Sequence, residues 1–168
     1  MKIVVGFTEL HPATEKALQL WASNYEVNYH DVSSSNEEYF NVLAKYWSLG
    51  ESFIVIEHDV EIRKETIPKL TRCSRSWCAF SYAMGASGYQ TALGCTKFST
   101  ALLQKYPNAM KQAGDKHDPW SAPRDWRRLD RRIFEVLVEL GETEHRHDPP
   151  LKHHNLEKKV PVELELFS

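Results

Sequence analysis

Glu57-His58-Asp59 follow directly on the apolar run Phe53-Ile54-Val55-Ile56. Two carboxylates delivered by one strand end can hold a hard divalent cation, which prefers oxygen donors and also binds substrate phosphates. In an extended chain the two-residue period places Glu57 and Asp59 on one side and His58 on the other. A solvated acidic turn is the plainer use of the same residues, because carboxylates are ordinarily exposed. A second candidate is the run Glu144 to Asn155, which holds four of the chain's eight histidines, His145, His147, His153 and His154. Imidazole suits Mn, Fe or Zn, and a mixed carboxylate–imidazole set suits Mn; an exposed histidine patch is the alternative. No His-Glu-x-x-His or paired Cys-x-x-Cys is present, which argues against a zinc protease or a zinc finger.

Asp130 is the third candidate. It stands four residues from both Trp126 and Phe134, so helical spacing puts it on an apolar stripe and not on the face of Arg127, Arg128, Arg131 and Arg132. Apolar surroundings would raise its pKa and make it a stronger base, whereas a neighbouring arginine would lower it. An ion pair with Arg127, Arg131 or a distant lysine is the structural alternative. The arginines, with Arg124, Lys152, Lys158 and Lys159, could contact phosphates, and Trp120 and Trp126 could stack on bases beside them. Such a run also serves as an ordinary solvated helix face.

These residues need a scaffold, and the hydrophobic pattern predicts one. Ile3–Thr8 reads as a strand, Ala13–Ala22 as a helix, Val27–Val32 as a strand, and Ser35 or Asn36 can cap a helix to about Trp47. Ser52–Ile56 has the unbroken apolar pattern of a strand buried on both faces. Strand–helix–strand–helix–strand means an α/β fold with a Rossmann-like, mostly parallel sheet flanked by helices. Further on, Trp77–Tyr82 reads as a strand, Ala83–Tyr89 as a turn, Thr91–Cys95 as a return to the sheet, and Thr96–Tyr106 as a helix. Asn108–Pro123 reads as a polar loop, Arg124–Leu140 as a helix stopped by Gly141, and Val160–Phe167 as a last strand after the extended histidine run.

At 168 residues the chain is the size of one domain, spanning 1–168, and two-domain enzymes are excluded. A formal net charge of −2 and a pI near 6.4 give no global field toward nucleic acid or anionic membranes, so any basic surface must be local. Cys73, Cys78 and Cys95 are an odd number and read as free, small core thiols in a reducing compartment. The apolar N-terminal run is too short for a signal peptide and no stretch reaches the length of a membrane span, so a soluble, cytoplasmic protein without a membrane partner is expected.

In order and spacing these pieces resemble the GT-A-fold glycosyltransferases, in particular the inverting, nucleotide-sugar-dependent enzymes and their very small phage-encoded relatives. The resemblance spans most of the chain. In that family a buried strand ends in an Asp-x-Asp-type motif that holds a divalent metal against the donor diphosphate, and Glu57-His58-Asp59 matches it with Glu for the first Asp. The resemblance makes Asp130, eleven residues before Gly141, the base, with Leu129 in place of the usual preceding acid. It makes His153 or His154 a third metal ligand, with His147 as a substitute. It puts Thr8, Glu9 and Asp31 at the nucleotide base and ribose, and Gly94 in a segment bordering the acceptor.

What the resemblance implies is an enzyme using Mn²⁺ or Mg²⁺ held by Glu57, Asp59 and a late histidine, a nucleotide-sugar donor with a UDP-sugar favoured, and Asp130 as general base in an inverting transfer. The favoured acceptor is a hydroxylated base of phage DNA rather than a lipid, with sugar or protein acceptors left open, met by Gly94, Trp120, Trp126 and Arg127 in a host cytoplasm. Two other readings stand beside it. One is a noncatalytic nucleic-acid-binding α/β domain using Arg124–Arg132. The other is a metal-dependent phosphoester hydrolase built on Asp59 and the late histidines.

Overall fold

The computed structural model describes residues 1–83, 89–90 and 93–154. Its elements are β1 (Lys2–Phe7), α1 (Pro12–Trp21), β2 (Glu26–Asp31), α2 (Glu38–Ser48), β3 (Phe53–Ile56), β4 (Val60–Glu61), α3 (Thr66–Arg72), β5 (Trp77–Ala83), β6 (Tyr89–Gln90), β7 (Cys95–Phe98), α4 (Thr100–Lys105), α5 (Ala109–Asp115), α6 (Leu129–Glu139) and β8 (His145–His153). The expected last strand, Val160–Phe167, lies outside the described residues, as does most of the Ala83–Tyr89 turn.

The strands form one sheet in the order β2-β1-β3-β7-β5-β8-β4, with β6 paired to β5. β1 pairs in parallel with β2 and β3, and β5 pairs in parallel with β8. β7 is antiparallel to both β3 and β5, which makes β5 run in the direction of β3. Five strands, β1, β2, β3, β5 and β8, therefore point the same way, and their carboxyl ends form one edge.

Strand alternation fills both faces of this sheet. Val4, Phe53 and Val55 join Phe40, Leu43, Trp47, Phe98, Leu129, Ile133 and Leu137 in one core, on the side of α2 and α6. Ile3, Val5, Ile54 and Ile56 join Leu18, Ile67, Leu70 and Phe80 in the other, on the side of α1 and α3. β3 is buried along its whole length, as its unbroken apolar run predicts. No helix among the described residues is long and apolar enough to cross a membrane.

Four local expectations are corrected. Residues 95–98, the end of the expected strand and the start of the expected helix at Thr96–Tyr106, form β7; the helix begins at Thr100, where Ser99 Oγ accepts from the Leu102 N–H at 3.2 Å. Within the expected loop Asn108–Pro123, Ala109–Asp115 is a helix with Ala109, Met110, Ala113 and Gly114 buried. Gly114 lies so close to Phe40 that a Cβ would sit 2.4 Å from its ring. The helix expected from Arg124 starts five residues later. Arg124 has φ +61, and Asp125 is extended with its Oδ1 accepting from the Arg127 N–H at 2.9 Å, so a 3₁₀ turn, Trp126–Arg128, precedes α6. Gly141, at φ +86, ends α6 as expected. Finally, Cys78 and Cys95 are buried thiols, but Cys73, at the C-terminus of α3, is only partly buried and packs against the edge of the second core.

Candidate functional site

A cavity of about 700 Å³ opens at the carboxyl edge of the five like-directed strands, and its walls are the loops and strand ends found there. Thr8 follows β1, Val32–Asn36 follow β2, Glu57, His58 and Asp59 follow β3, Tyr82 closes β5 and His153 closes β8. Leu93, Tyr39 of α2, the 3₁₀ residues Trp126 and Arg127, and Asp130 of α6 complete it. Ligands of open α/β sheets bind beyond carboxyl strand ends, and the volume suits a small molecule.

Glu57-His58-Asp59 is not extended. The Val60 N–H donates to the Glu57 carbonyl at 3.2 Å, closing a turn that leads into β4. The Glu57 N–H donates to the Gly94 carbonyl at 3.0 Å, and the His154 N–H to the Asp59 carbonyl at 2.9 Å, so the turn is anchored at both ends. This geometry gathers Glu57, Asp59 and His153 with ligand atoms within 4.8 Å of one another. His153 Nε2 lies 3.2 Å from Asp59 Oδ2, and its ring stacks on Tyr82.

Charge is concentrated here. Burial, with the charges of Asp59 and Asp130, pushes Glu57 up to about 8. Burial also acts to raise Asp59, which is only 3% exposed, but the His153 hydrogen bond and the positive fields of His153 and His58 outweigh it and leave its pKa low. Asp130 sits in the first turn of α6 and is raised by burial, against the opposing pull of the helix-start N–H of Arg131 and the charges of Arg128 and Arg131. No ion pair to Asp130 is formed among the described residues. Three carboxyl groups thus face one cavity, Glu57 and Asp130 raised and Asp59 lowered, and a bound dication would favour the ionised form of each.

The residues present fit such an ion. Two carboxylates and an imidazole are a donor set for Mn²⁺ or Mg²⁺, and His153 Nδ1 is buried with no hydrogen-bond partner among the described residues. His154 does not join them; its Nε2 pairs with Glu61 at 2.9 Å and its ring stacks on His11. His147 lies at the other end of β8, stacked on Phe80, its pKa lowered by burial and then by His145, Lys69 and Lys97.

The remaining expected residues divide. Thr8, Trp126 and Arg127 line the cavity, and Glu9 is exposed beside it. Asp31 acts on the wall indirectly, its Oδ1 accepting from the Ser33 N–H at 2.9 Å and shaping the loop that does line it. Gly94 supports the site from behind: besides holding Glu57, it admits the Tyr82 ring where a Cβ would sit 2.2 Å from Cε1. Trp120 is 78% exposed and is not among the lining residues.

The arginine cluster is not a free basic face. Arg132 is 1% exposed, donating to Ser121 Oγ and to the Ala122 carbonyl. Arg124 pairs with Asp115 at 3.6 Å, Arg127 with Asp125 at 2.8 Å, Arg128 with Asp118 at 3.9 Å and Arg131 with Glu135 at 2.7 Å.

The lining residues not anticipated from the sequence include two tyrosines, Tyr39 and Tyr82. Tyr39 packs over β1 because Gly6 has no side chain, a Cβ there falling 2.7 Å from the ring. Its hydroxyl is buried without a hydrogen-bond partner among the described residues. A glycine inside the apolar first strand is the signal that could have pointed to this close approach.

No protein-family model matches the chain, and no curated protein matches it by sequence. Solved structures do. A glycosyltransferase involved in glycosylation of the major capsid of PBCV-1 superposes with a TM-score of 0.59 at 13% identity, covering 90% of this chain and 92% of that one. A197 from STIV gives 0.50 at 10% identity, with 89% and 82% covered. A Bacillus anthracis protein assigned as a glucose-1-phosphate thymidylyltransferase, in complex with sucrose, gives 0.50 at 8% identity, with 90% and 88% covered. The chain thus shares a GT-A-type α/β fold with these structures.

Proposed function

We propose that this chain is a metal-dependent glycosyltransferase that moves a sugar from a nucleoside-diphosphate donor to an acceptor hydroxyl with inversion. The observation that carries this is the convergence of Glu57, Asp59 and His153 on the cavity wall that also holds the raised carboxylate of Asp130. When bound, a Mn²⁺ or Mg²⁺ held by these three residues would supply Lewis-acid neutralisation of the diphosphate leaving group.

The chain's own residues do the rest. The Val32–Asn36 loop, held by Asp31, and Thr8 offer the backbone and hydroxyl groups that orient the nucleotide. Asp130 takes the proton of the acceptor hydroxyl as its oxygen attacks the anomeric carbon, a general-base contribution of about 10²–10⁴. Burial keeps water from levelling its basicity.

At the rim, Trp126 is 53% exposed with the Arg127 guanidinium 5.4 Å from its ring centre, a surface on which a planar or sugar ring can stack. A UDP-sugar is the donor we favour. A hydroxylated DNA base is an acceptor that such a rim accommodates, and its phosphates would then meet a largely ion-paired arginine surface.

The test is incubation with Mn²⁺ and a panel of nucleotide sugars, measuring released nucleoside diphosphate in the chain and in Asp130→Asn. Metal-dependent release that Asp130→Asn loses supports the assignment. Pyrophosphate exchange with a nucleoside triphosphate and a sugar phosphate would replace it with nucleotidyl transfer. Absence of any metal-dependent nucleotide binding would overturn it.

A further inference from the structure

The opposite edge of the sheet holds a second cluster. Cys73 closes α3, its N–H bonded to the Leu70 and Lys69 carbonyls, while His145 and His147 open β8. The Cys73 sulfur and one nitrogen of each imidazole lie within 4.8 Å of one another. The two rings meet edge to face at 4.7 Å, and His147 Nε2 is buried with no hydrogen-bond partner among the described residues. The Cys78 thiol is hydrogen-bonded to Cys73, and Lys97 Nζ donates to the Cys73 carbonyl. These contacts hold Cys73 in place beside the two imidazoles.

We infer that Cys73, His145 and His147 form a zinc site, separate from the cavity at the carboxyl edge. Its donors are one thiolate and two imidazoles, a set that selects Zn²⁺ over the hard cations suited to Glu57, Asp59 and His153. Zinc bonds of about 2.0–2.3 Å bring such donors roughly 3.3–3.8 Å apart, a closure that side-chain rotation supplies. The three donors line a shallow groove together with Lys69, Arg72, Arg75, Arg146 and Asp148, from which water or an anionic group would supply a fourth donor. Among the described residues β8 pairs only with β5 along His145–His147, so the ion would clip this strand edge to the end of α3.

The experiment is a titration of the reduced chain with Co²⁺, followed by displacement with Zn²⁺. The expected result is a thiolate-to-cobalt charge-transfer band, saturating at one equivalent, that Asp59→Asn retains and Cys73→Ser abolishes. His147→Gln should weaken Co²⁺ binding at least about tenfold. In the unsubstituted chain Zn²⁺ should also protect Cys73, and not only the buried thiols, from alkylation followed by mass spectrometry, a readout that does not depend on any variant folding. Absence of the band, its persistence in Cys73→Ser, or unchanged alkylation of Cys73 with zinc would each overturn the site.

Discussion

His153 Nε2 lies 3.2 Å from Asp59 Oδ2 while the next residue's N–H donates to the Asp59 carbonyl at 2.9 Å, so the end of β8 grips the β3–β4 turn by side chain and main chain together. Replacing His153 with Ala removes one donor of the proposed metal site and leaves a carboxylate that is 3% exposed without its partner. Mn²⁺-dependent nucleotide binding should weaken by at least about 10–100-fold, the range found when partners of metal sites are removed. Calorimetric titration with and without Mn²⁺ reads this directly, and equal affinity in the variant would remove His153 from the ligand set.

Asp130→Asn should separate catalysis from stability. Turnover should fall by about 10²–10⁴ with the donor dissociation constant unchanged. The buried carboxyl has a folded-state pKa above its ordinary 3.8, so it ionises more readily in the unfolded chain. Its ionisation therefore opposes folding. The penalty is absent below the unfolded pKa, grows as pH rises toward the folded pKa, and is complete above it. Asp130→Asn should accordingly melt higher than the unsubstituted chain at neutral pH, and the difference should disappear below about pH 4. The acid limb of the rate profile should likewise lie above the ordinary aspartate value. A neutral-pH melting temperature lower than that of the unsubstituted chain would contradict the burial argument.

Gly6→Ala tests the tyrosine that the sequence did not flag. A Cβ at Gly6 would stand 2.7 Å from two atoms of the Tyr39 ring, whose edge is a cavity wall. The ring must tilt into the cavity or the helix must shift, and overpacking of this kind costs about 1–3 kcal/mol. Donor affinity should fall together with the melting temperature. Tyr39→Ala in the Gly6→Ala background should recover the steric part, and a double-mutant cycle in which the two effects simply add would show that the contact is not felt.

Much of the fold was legible because long periodic segments announce themselves. Ile3–Thr8, Ala13–Ala22 and the apolar run before Glu57 each carry a pattern that one secondary structure satisfies. Thr96-Lys97-Phe98 does not: so short a run fits a helical stripe and a buried strand equally well, and only pairing to β3 and β5 decides it. Ala109–Asp115 escaped notice because three of its four buried residues, Ala109, Ala113 and Gly114, are small and leave Met110 as the one large apolar signal; at Gly114 the closeness of Phe40 leaves no room for a side chain. Around the site, the strand-end triplet and Asp130 were readable from spacing. The separation of His147 from His153 was not, because it depends on both ends of β8 meeting different elements. The basic helix was misread in a related way: a sequence shows the arginines but not the Asp115, Asp118, Asp125 and Glu135 that the fold sets against them.

Those ion pairs give the last prediction. Five free arginines on a DNA-binding face would release several counterions, with log affinity falling against log salt at about −0.9 for each phosphate neutralised. Here Arg132 is buried, and Arg127 is the arginine that lines the cavity, itself 2.8 Å from Asp125. If a hydroxylated base in DNA is the acceptor, its binding should therefore show a slope no steeper than about −1 to −2. Most of the affinity should then come from stacking, so that Trp126→Ala raises the acceptor KM while leaving donor binding intact, by about 1–3 kcal/mol for one stacked base. Fluorescence titration over a salt series measures the slope, and steady-state kinetics on Trp126→Ala measures the stacking contribution. A steep slope together with an unaffected KM would place the acceptor on a surface away from Trp126.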